Sequence, residues 1–417
     1  MSATQRDNIV KHSLLLIVFA NAANATNLIF QAIMGRELPK AEFTDMQTML
    51  TMLLVLITPL DAVRTSFAHA AAVGVQADRP WAARDLLAQW GRIFFLLASA
   101  FILVGMLVSP MIAGFFHLHS VWSARTAIVI FSLSLFSPLL VGVYQGVQSF
   151  VWMSAAQAGW SIIRLACGIV LVYFVSAVAP AALLSHAIGI SVGMAASTLG
   201  LVHLARRPAN EPAQHHPLGG YFVQSVFMLS GYALMQNADV MLVKHFFAAA
   251  DADKYTQAAT IGRAVVFMPI PIAMAMFPKV VSVGSTSRQS LMTLLKALGI
   301  GMGIVGALIL ICSAVTWLPL LILFKIRNPD PEQCAFIRHV LWAMSPTTIT
   351  YLLMNFEMAQ HRFRALPFLL LCVAGYIGGV ALFHGSLSQF VAILATASTA
   401  SALCFIALVI RAHMRHA

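Results

Sequence analysis

Apolar stretches of about 20 residues, the length that carries a helix across a hydrocarbon core, recur along this chain from residue 13 to residue 411. Only short polar breaks separate them. Lipid offers the backbone no water, so each stretch must close its own hydrogen bonds as a helix. The pattern predicts an all-α polytopic membrane protein of about 12 transmembrane helices. They fall near 13–35, 43–69, 89–115, 121–147, 150–174, 178–204, 220–247, 255–282, 290–323, 334–359, 365–384 and 387–411. The 290–323 run is longer than one span needs, so it is expected to tilt or to break near Pro319. Only 9% of the 417 residues are charged, against about 25% in soluble chains. No linker is long enough for a soluble catalytic domain, so neither an enzyme nor a cofactor is expected. The opening apolar run is too long for a cleavable signal and is read as a span.

The formal net charge is +11. A nucleic-acid binder gathers such charge into one stripe. Here Lys and Arg are scattered between apolar runs, so nucleic acid is excluded as a partner and the charge is read as topology. One alternate set of polar breaks carries fifteen cations, among them Arg64, Arg79, Arg84, Arg92, Lys279, Arg288, Arg362 and Arg364. The other set carries eight: Arg36, Lys40, Arg125, Lys244, Lys254, Lys325, Arg327 and Arg338. The richer side is expected in the cytoplasm, with both termini there.

The longest polar break runs from Arg206-Arg207-Pro208 through His215-His216-Pro217, near the middle of the chain. It divides the expected organisation into a six-helix lobe (1–205), a cytoplasmic linker (206–219) and a second six-helix lobe (220–417). Two histidines alone rarely make a metal site, so His215 and His216 read as solvated loop and no metal is expected. Cys167, Cys312, Cys334, Cys372 and Cys404 are too dispersed for a metal motif or a disulfide framework. A faint repeat links the halves. Phe43 and Tyr255 each open a span after a short acidic loop, and Pro59 and Pro271 lie deep in those spans, with an offset of 212 residues in both cases. Two halves of equal direction form a parallel repeat of the kind found in transporters.

Polar groups at bilayer depth are costly and usually face a cavity or a partner. Asn21, Asn24 and Asn27 recur every three residues on one slowly turning face of the first span. They either line a wet cavity or bond neighbouring helices together. Asp61 and Arg64 are one turn apart and either pair locally or let Arg64 snorkel to the inner headgroups. Arg164 lies about 21 Å into its span, near the midplane, where it needs a cavity or a carboxylate. A guanidinium suits phosphate through its planar fork. Asp239 and Arg263 sit at similar depth on consecutive antiparallel spans, and either bridge each other or serve as separate elements of a site. Glu357, near the inner end of the tenth span, reads as an interfacial residue. Pro59, Pro269 and Pro271 disturb their spans.

Several segments resemble a known family. Asn27-Leu28-Ile29-Phe30, Gly35-Arg36-Glu37-Leu38 and Phe43 resemble the opening of polysaccharide-export flippases. Ser137-Pro138-Leu139-Leu140 through Tyr144-Gln145-Gly146 and on to Phe150 resembles the end of their fourth helix. Asn237-Ala238-Asp239-Val240-Met241-Leu242-Val243-Lys244, with Tyr255, Gly262-Arg263 and Phe277-Pro278-Lys279, is similar to their seventh and eighth helices. This is the O-antigen translocase (Wzx-like) oligosaccharide flippase branch of the multidrug/oligosaccharidyl-lipid/polysaccharide exporter superfamily. The resemblance implies a MATE-like V of two six-helix lobes in the bacterial inner membrane. It implies movement of an undecaprenyl-diphosphate-linked oligosaccharide between leaflets, with membrane lipids and a polysaccharide polymerase as partners. It carries substrate binding over to Arg263 and Arg64; the reading of polar groups at depth adds Arg164, Asn24 and Asn27 to substrate binding and gives ion or proton coupling to Asp239 and Asp61. Lipid II flippases often carry cations in the first helix, where this chain has asparagines, and they have two further C-terminal helices. Both departures favour a general oligosaccharide-lipid.

Two other readings stand beside it. A cation-coupled small-molecule antiporter of the same fold would rely on Asp61 and Asp239 rather than on arginines. A membrane glycosyl- or acyltransferase would need a catalytic carboxylate or His in a long outer loop, and the loop around Asp330 and Glu332 has no evident partner set. No Walker motif is present for ATP. The charge bias makes a direct prediction. Cysteine labelling in intact cells should find the 206–216 stretch and the C-terminus protected and the Lys325–Arg327 loop reactive; the reverse pattern would refute the assigned orientation.

Overall fold

A computed structural model describes residues 22–77, 79, 81–204, 220–283 and 288–414. Asn21, the proposed linker and its His215/His216 pair lie outside the described residues. The chain divides into two compact units, Met1–Phe222 and Val223–Ala417.

The first unit holds α1 (22–37), α2 (Lys40–Ile57), α3 (Asp61–Gln76), α4 (Ala82–Phe115), α5 (Val121–Ser134), α6 (Ser137–Gly146), α7 (Phe150–Phe174) and α8 (Ala179–Thr198). The second opens within α9 (Gly220–Phe246). It continues through α10 (Ala249–Val266), α11 (Ile270–Val283), α12 (Arg288–Ala314), α13 (Trp317–Phe324), α14 (Pro331–Met344), α15 (Pro346–Ala359), α16 (Leu366–Leu382) and α17 (Leu387–Met414). Among the described residues there is no strand. Nine helical stretches there are long and apolar enough to cross a membrane. The first predicted span is described in part as α1, the tenth is the α14–α15 pair, and the eleventh is α16, with 17 residues. The chain is a multi-pass α-helical membrane protein.

Prolines break the spans at matching places in the two units. The second span turns through a short 3-10 segment, Thr58–Leu60, around Pro59. The eighth breaks between α10 and α11, with Pro269 in the break and Pro271 in the first turn of α11. Two further breaks were not read from the sequence. The fourth span bends before Ser137-Pro138 and the tenth at Ser345-Pro346. A proline has no N–H for the carbonyl four residues back. At Pro346 that carbonyl belongs to Trp342, and the Ser345 hydroxyl donates to it at 2.9 Å. The long ninth run breaks at Val315–Thr316, four residues ahead of Pro319, which lies in the first turn of α13, where a proline fits.

Matching polar contacts also tie the second span of each unit to the start of its fourth. In the first unit buried Asp45 accepts from the backbone N–H of His119 at 2.7 Å and meets its Nδ1 at 3.0 Å. In the second, Gln257 and Gln333 bond at 3.0 Å. Asp45 and Gln257 are 212 residues apart, the offset of the sequence anchors.

Close helix packing in the first unit depends on two glycine pairs spaced four apart. A Cβ on Gly142 of α6 would come within 2.6 Å of the Arg64 carbonyl oxygen, and one on Gly146 within 2.5 Å of the Ala68 carbonyl oxygen, both on α3. On α8, Gly189 approaches the Trp160 carbonyl oxygen and Gly193 the Trp160 Cβ of α7 just as closely. Small residues at this spacing let helix backbones meet where lipid gives no hydrophobic drive. Tyr144 adds a bond from its hydroxyl to the Ser197 carbonyl, joining α6 to α8 at 2.5 Å. By contrast α4 presents Leu96, Leu103, Leu107 and Met111 outward, as a lipid-facing helix must. Gly146→Ala should lower thermal stability in detergent by about 1–3 kcal/mol. Gly306→Ala on α12, where a Cβ meets nothing within 4 Å, should not; equal effects would remove the packing argument.

Candidate functional site

Arg164 projects from α7 with only 4% of its surface exposed. Its Nη2 donates to Asn27 Oδ1 of α1 at 2.6 Å, and its Nη1 lies 3.2 Å from His186 Nδ1 of α8. The guanidinium carbon stands 4.1 Å from the Phe30 ring centre and 5.1 Å from that of Trp160. Trp160 in turn stacks on the His186 imidazole at 4.8 Å. The Nε of Arg164 is buried without an acceptor. Among the described residues no carboxylate pairs with this arginine. A buried cation is thus held by an amide, an imidazole and two π-faces, with no formal negative charge. The glycine contacts between α7 and α8 hold Trp160 and Arg164 against His186. Asn27 is partly exposed and Asn24, one turn earlier, is exposed.

The second unit resolves its buried charge differently. Arg263 of α10 forms an ion pair with Asp239 of α9, both deeply buried. The other Asp239 oxygen accepts from the Tyr255 hydroxyl at 2.9 Å. Around them the buried atoms Gln236 Nε2, Asn237 Oδ1, Thr256 Oγ1, Arg263 Nε and Tyr376 Oη have no partner. Asn27 and Asp239 are again 212 residues apart. The same register position of each unit's first helix therefore accepts from a buried guanidinium. The donor comes from the fifth span in one unit and from the second span of the other. A neutral amide leaves its arginine charged; a carboxylate cancels it.

Asp61 and Arg64 pair at 3.0 Å across one turn of α3, and Arg64 also reaches Gln145 Oε1 at 3.4 Å. Asp61 is more than half exposed. Glu357, expected at the interface, is instead 2% exposed, with Oε1 lacking a partner. Just past α15 the Arg362 backbone N–H returns to the Glu357 carbonyl at 2.9 Å.

Sequence reasoning missed His186, Trp160, Phe30 and Tyr255. The depth argument that matched Asp239 with Arg263 would have found His186. It lies about eight residues into the sixth span, opposite Arg164 on the antiparallel fifth.

No family model matches the chain, and no curated protein matches it. Solved structures do. An inward-facing multidrug resistance MATE family transporter of the MOP superfamily aligns with TM-score 0.73 and 10% identity over 94% of each chain. The lipid II flippase MurJ, in an inward closed conformation, aligns at 0.67 with 9% identity, over 95% of this chain and 87% of its own. A MOP superfamily transporter from Pyrococcus furiosus, whose binding pocket has reverse polarity taken to suggest a different function, aligns at 0.66 with 11% identity, over 96% and 93%. The chain has the fold of the MOP superfamily transporters.

The buried pair in the second unit gives a stability prediction. Asp239→Leu leaves Arg263 charged and alone, at a cost of roughly 3–5 kcal/mol. Adding Arg263→Met should recover most of that loss in thermal unfolding of the purified protein. A double variant no better than the single would mean the two residues act independently.

Proposed function

We propose that this chain is a flippase that moves a polyprenyl-diphosphate-linked oligosaccharide from the cytoplasmic to the periplasmic leaflet by alternating access, within polysaccharide biosynthesis in the bacterial inner membrane. The observation that carries the reading is Arg164, a buried guanidinium with no carboxylate partner among the described residues. A diphosphate has no favourable path through hydrocarbon unless fixed charges and donors replace its water. Arg164 offers the charge and a fork of donors suited to phosphate oxygens. Asn27 and Asn24 offer neutral amides beside it for glycan hydroxyls or remaining phosphate oxygens. The polyprenyl chain stays in lipid throughout. Arg64 and Arg263 are further substrate-binding residues, each within its own unit, once their carboxylates release them, and Asp239 and Asp61 then become free to take an ion or proton.

The membrane potential assists. With the cytoplasm negative, each negative charge moved outward gains about 2.3 kcal/mol per 100 mV. The fold is shared with the lipid II flippase MurJ, which supports a lipid-linked cargo on this architecture. The antiporter reading needs unpaired cavity carboxylates. Asp61 and Asp239 both hold guanidinium partners, so either reading requires these pairs to open.

The test is reconstitution in liposomes with a fluorescent undecaprenyl-diphosphate oligosaccharide. Arg164→Ala should slow translocation about tenfold or more, the weight of a charged hydrogen bond, and Arg164→Lys should recover part of the rate. No translocation by the parent, with cation-driven efflux of a small molecule from the same liposomes that Asp239→Asn abolishes, would point to the antiporter instead.

A further inference from the structure

We infer that His186 is a proton site linked to anion binding at Arg164, so that a diphosphate enters together with a proton taken up on the imidazole. The inference rests on the anion-site reading of Arg164 above.

The geometry assigns the tautomer. A guanidinium has only N–H donors. Its Nη1 lies 3.2 Å from His186 Nδ1, so Nδ1 must be the acceptor. The ring is then neutral, with its hydrogen on Nε2. In this state His186 consumes one of the donors that a phosphate would use. Protonation reverses that. The Nδ1 lone pair takes a proton from solvent and becomes an N–H bond, so its bond with Arg164 Nη1 must break. Two donors, Nη1–H and Nδ1–H, then converge beside the acceptor-free Nε of Arg164. Two cations this close repel strongly in a low-dielectric site. An anion with two or more charges removes the repulsion, so each ligand strengthens the binding of the other.

Among the described residues, the other charges on the elements packed against α8 are engaged elsewhere or lie away from the imidazole. α8 packs against α7, α5, α2 and α6. On α7 the other ionisable groups are Cys167 and Tyr173. On α5 Arg125 is directed to Ser109 and Trp122. On α2 Asp45 holds His119 and Glu42 caps the Ala179 N–H, both beside the start of their neighbouring spans, and Lys40 begins that helix. Tyr144 of α6 is bonded to Ser197, and His203, beyond α8, stacks on Trp152. On α1 the charged residues are Arg36 and Glu37, beyond the Asn27 turn.

The sign follows from linkage. The bound state holds the proton more tightly than the empty state, so affinity for the anion falls as pH rises. The experiment is titration calorimetry on the purified full chain at one pH in buffers of different ionisation enthalpy. Farnesyl diphosphate is the probe for a lipid headgroup, and inorganic pyrophosphate is the parallel arm for a free phosphate. The parent should take up about one proton more per bound farnesyl diphosphate than His186→Gln, which binds more weakly and with a flatter pH dependence. Equal uptake by parent and variant overturns the role of His186 and leaves the flippase reading standing. If neither probe binds the parent, or if Arg164→Ala binds as the parent does, the anion site itself fails and this inference fails with it. Binding of pyrophosphate alone removes the lipid cargo, and the proton count is then read on that probe. If the glutamine variant does not fold, the parent decides at about pH 8, where the diphosphate is essentially ionised: uptake supports the linkage and none overturns it.

Discussion

A guanidinium cannot lose its water without finding other partners, and this constraint governs the interior of the protein. The two units answer it in opposite ways. In the second, Asp239 cancels Arg263 and Tyr255 takes the remaining carboxylate oxygen. In the first, Asn27 supplies an oxygen without a charge, and Phe30 and Trp160 supply π-faces. A cation over an aromatic ring is stabilised without being neutralised. Arg164 is therefore tolerated in the empty protein while keeping its full attraction for an anion.

That arrangement requires close and rigid packing. Gly189 and Gly193 bring α8 against α7 at the turn that carries Trp160 and Arg164, which places His186 within reach of both. The same device at Gly142 and Gly146 seats α6 on α3, beside Arg64. Proline breaks recur in the second and fourth spans of each unit. Helices interrupted in lipid are tolerated where side chains or neighbours meet the freed backbone groups, as Ser345 does for Trp342. The two units place different acceptors, Asn27 and Asp239, at corresponding positions, so one arginine stays unneutralised and the other is neutralised.

Much of this was legible in the chain. Hydropathy marked the spans because a helix must cover the width of a bilayer with apolar side chains. The 212-residue offset between Phe43 and Tyr255, and between Pro59 and Pro271, also joins Asn27 to Asp239 and Asp45 to Gln257. Equal depth on antiparallel spans brought Asp239 and Arg263 together. The breaks at Pro138 and Pro346 were equally visible as serine–proline pairs, and His186 as an ionisable group opposite Arg164. Glu357 was not legible as buried, because exposure is set by how other helices pack on α15 and not by distance from the end of the span.

Sequence alone determined how many apolar segments the chain can bury in lipid, where they break, and which polar groups are carried to their depth. These are one-dimensional facts, set by helix rise and by the missing N–H of proline. Which oxygen each arginine meets was decided only in three dimensions. Asn27 and Arg164 are 137 residues apart, and nothing local favours their contact over any other. It exists because α1, α7 and α8 pack together, and because small residues let α7 and α8 approach closely enough for an amide, an imidazole and two rings to surround one charge.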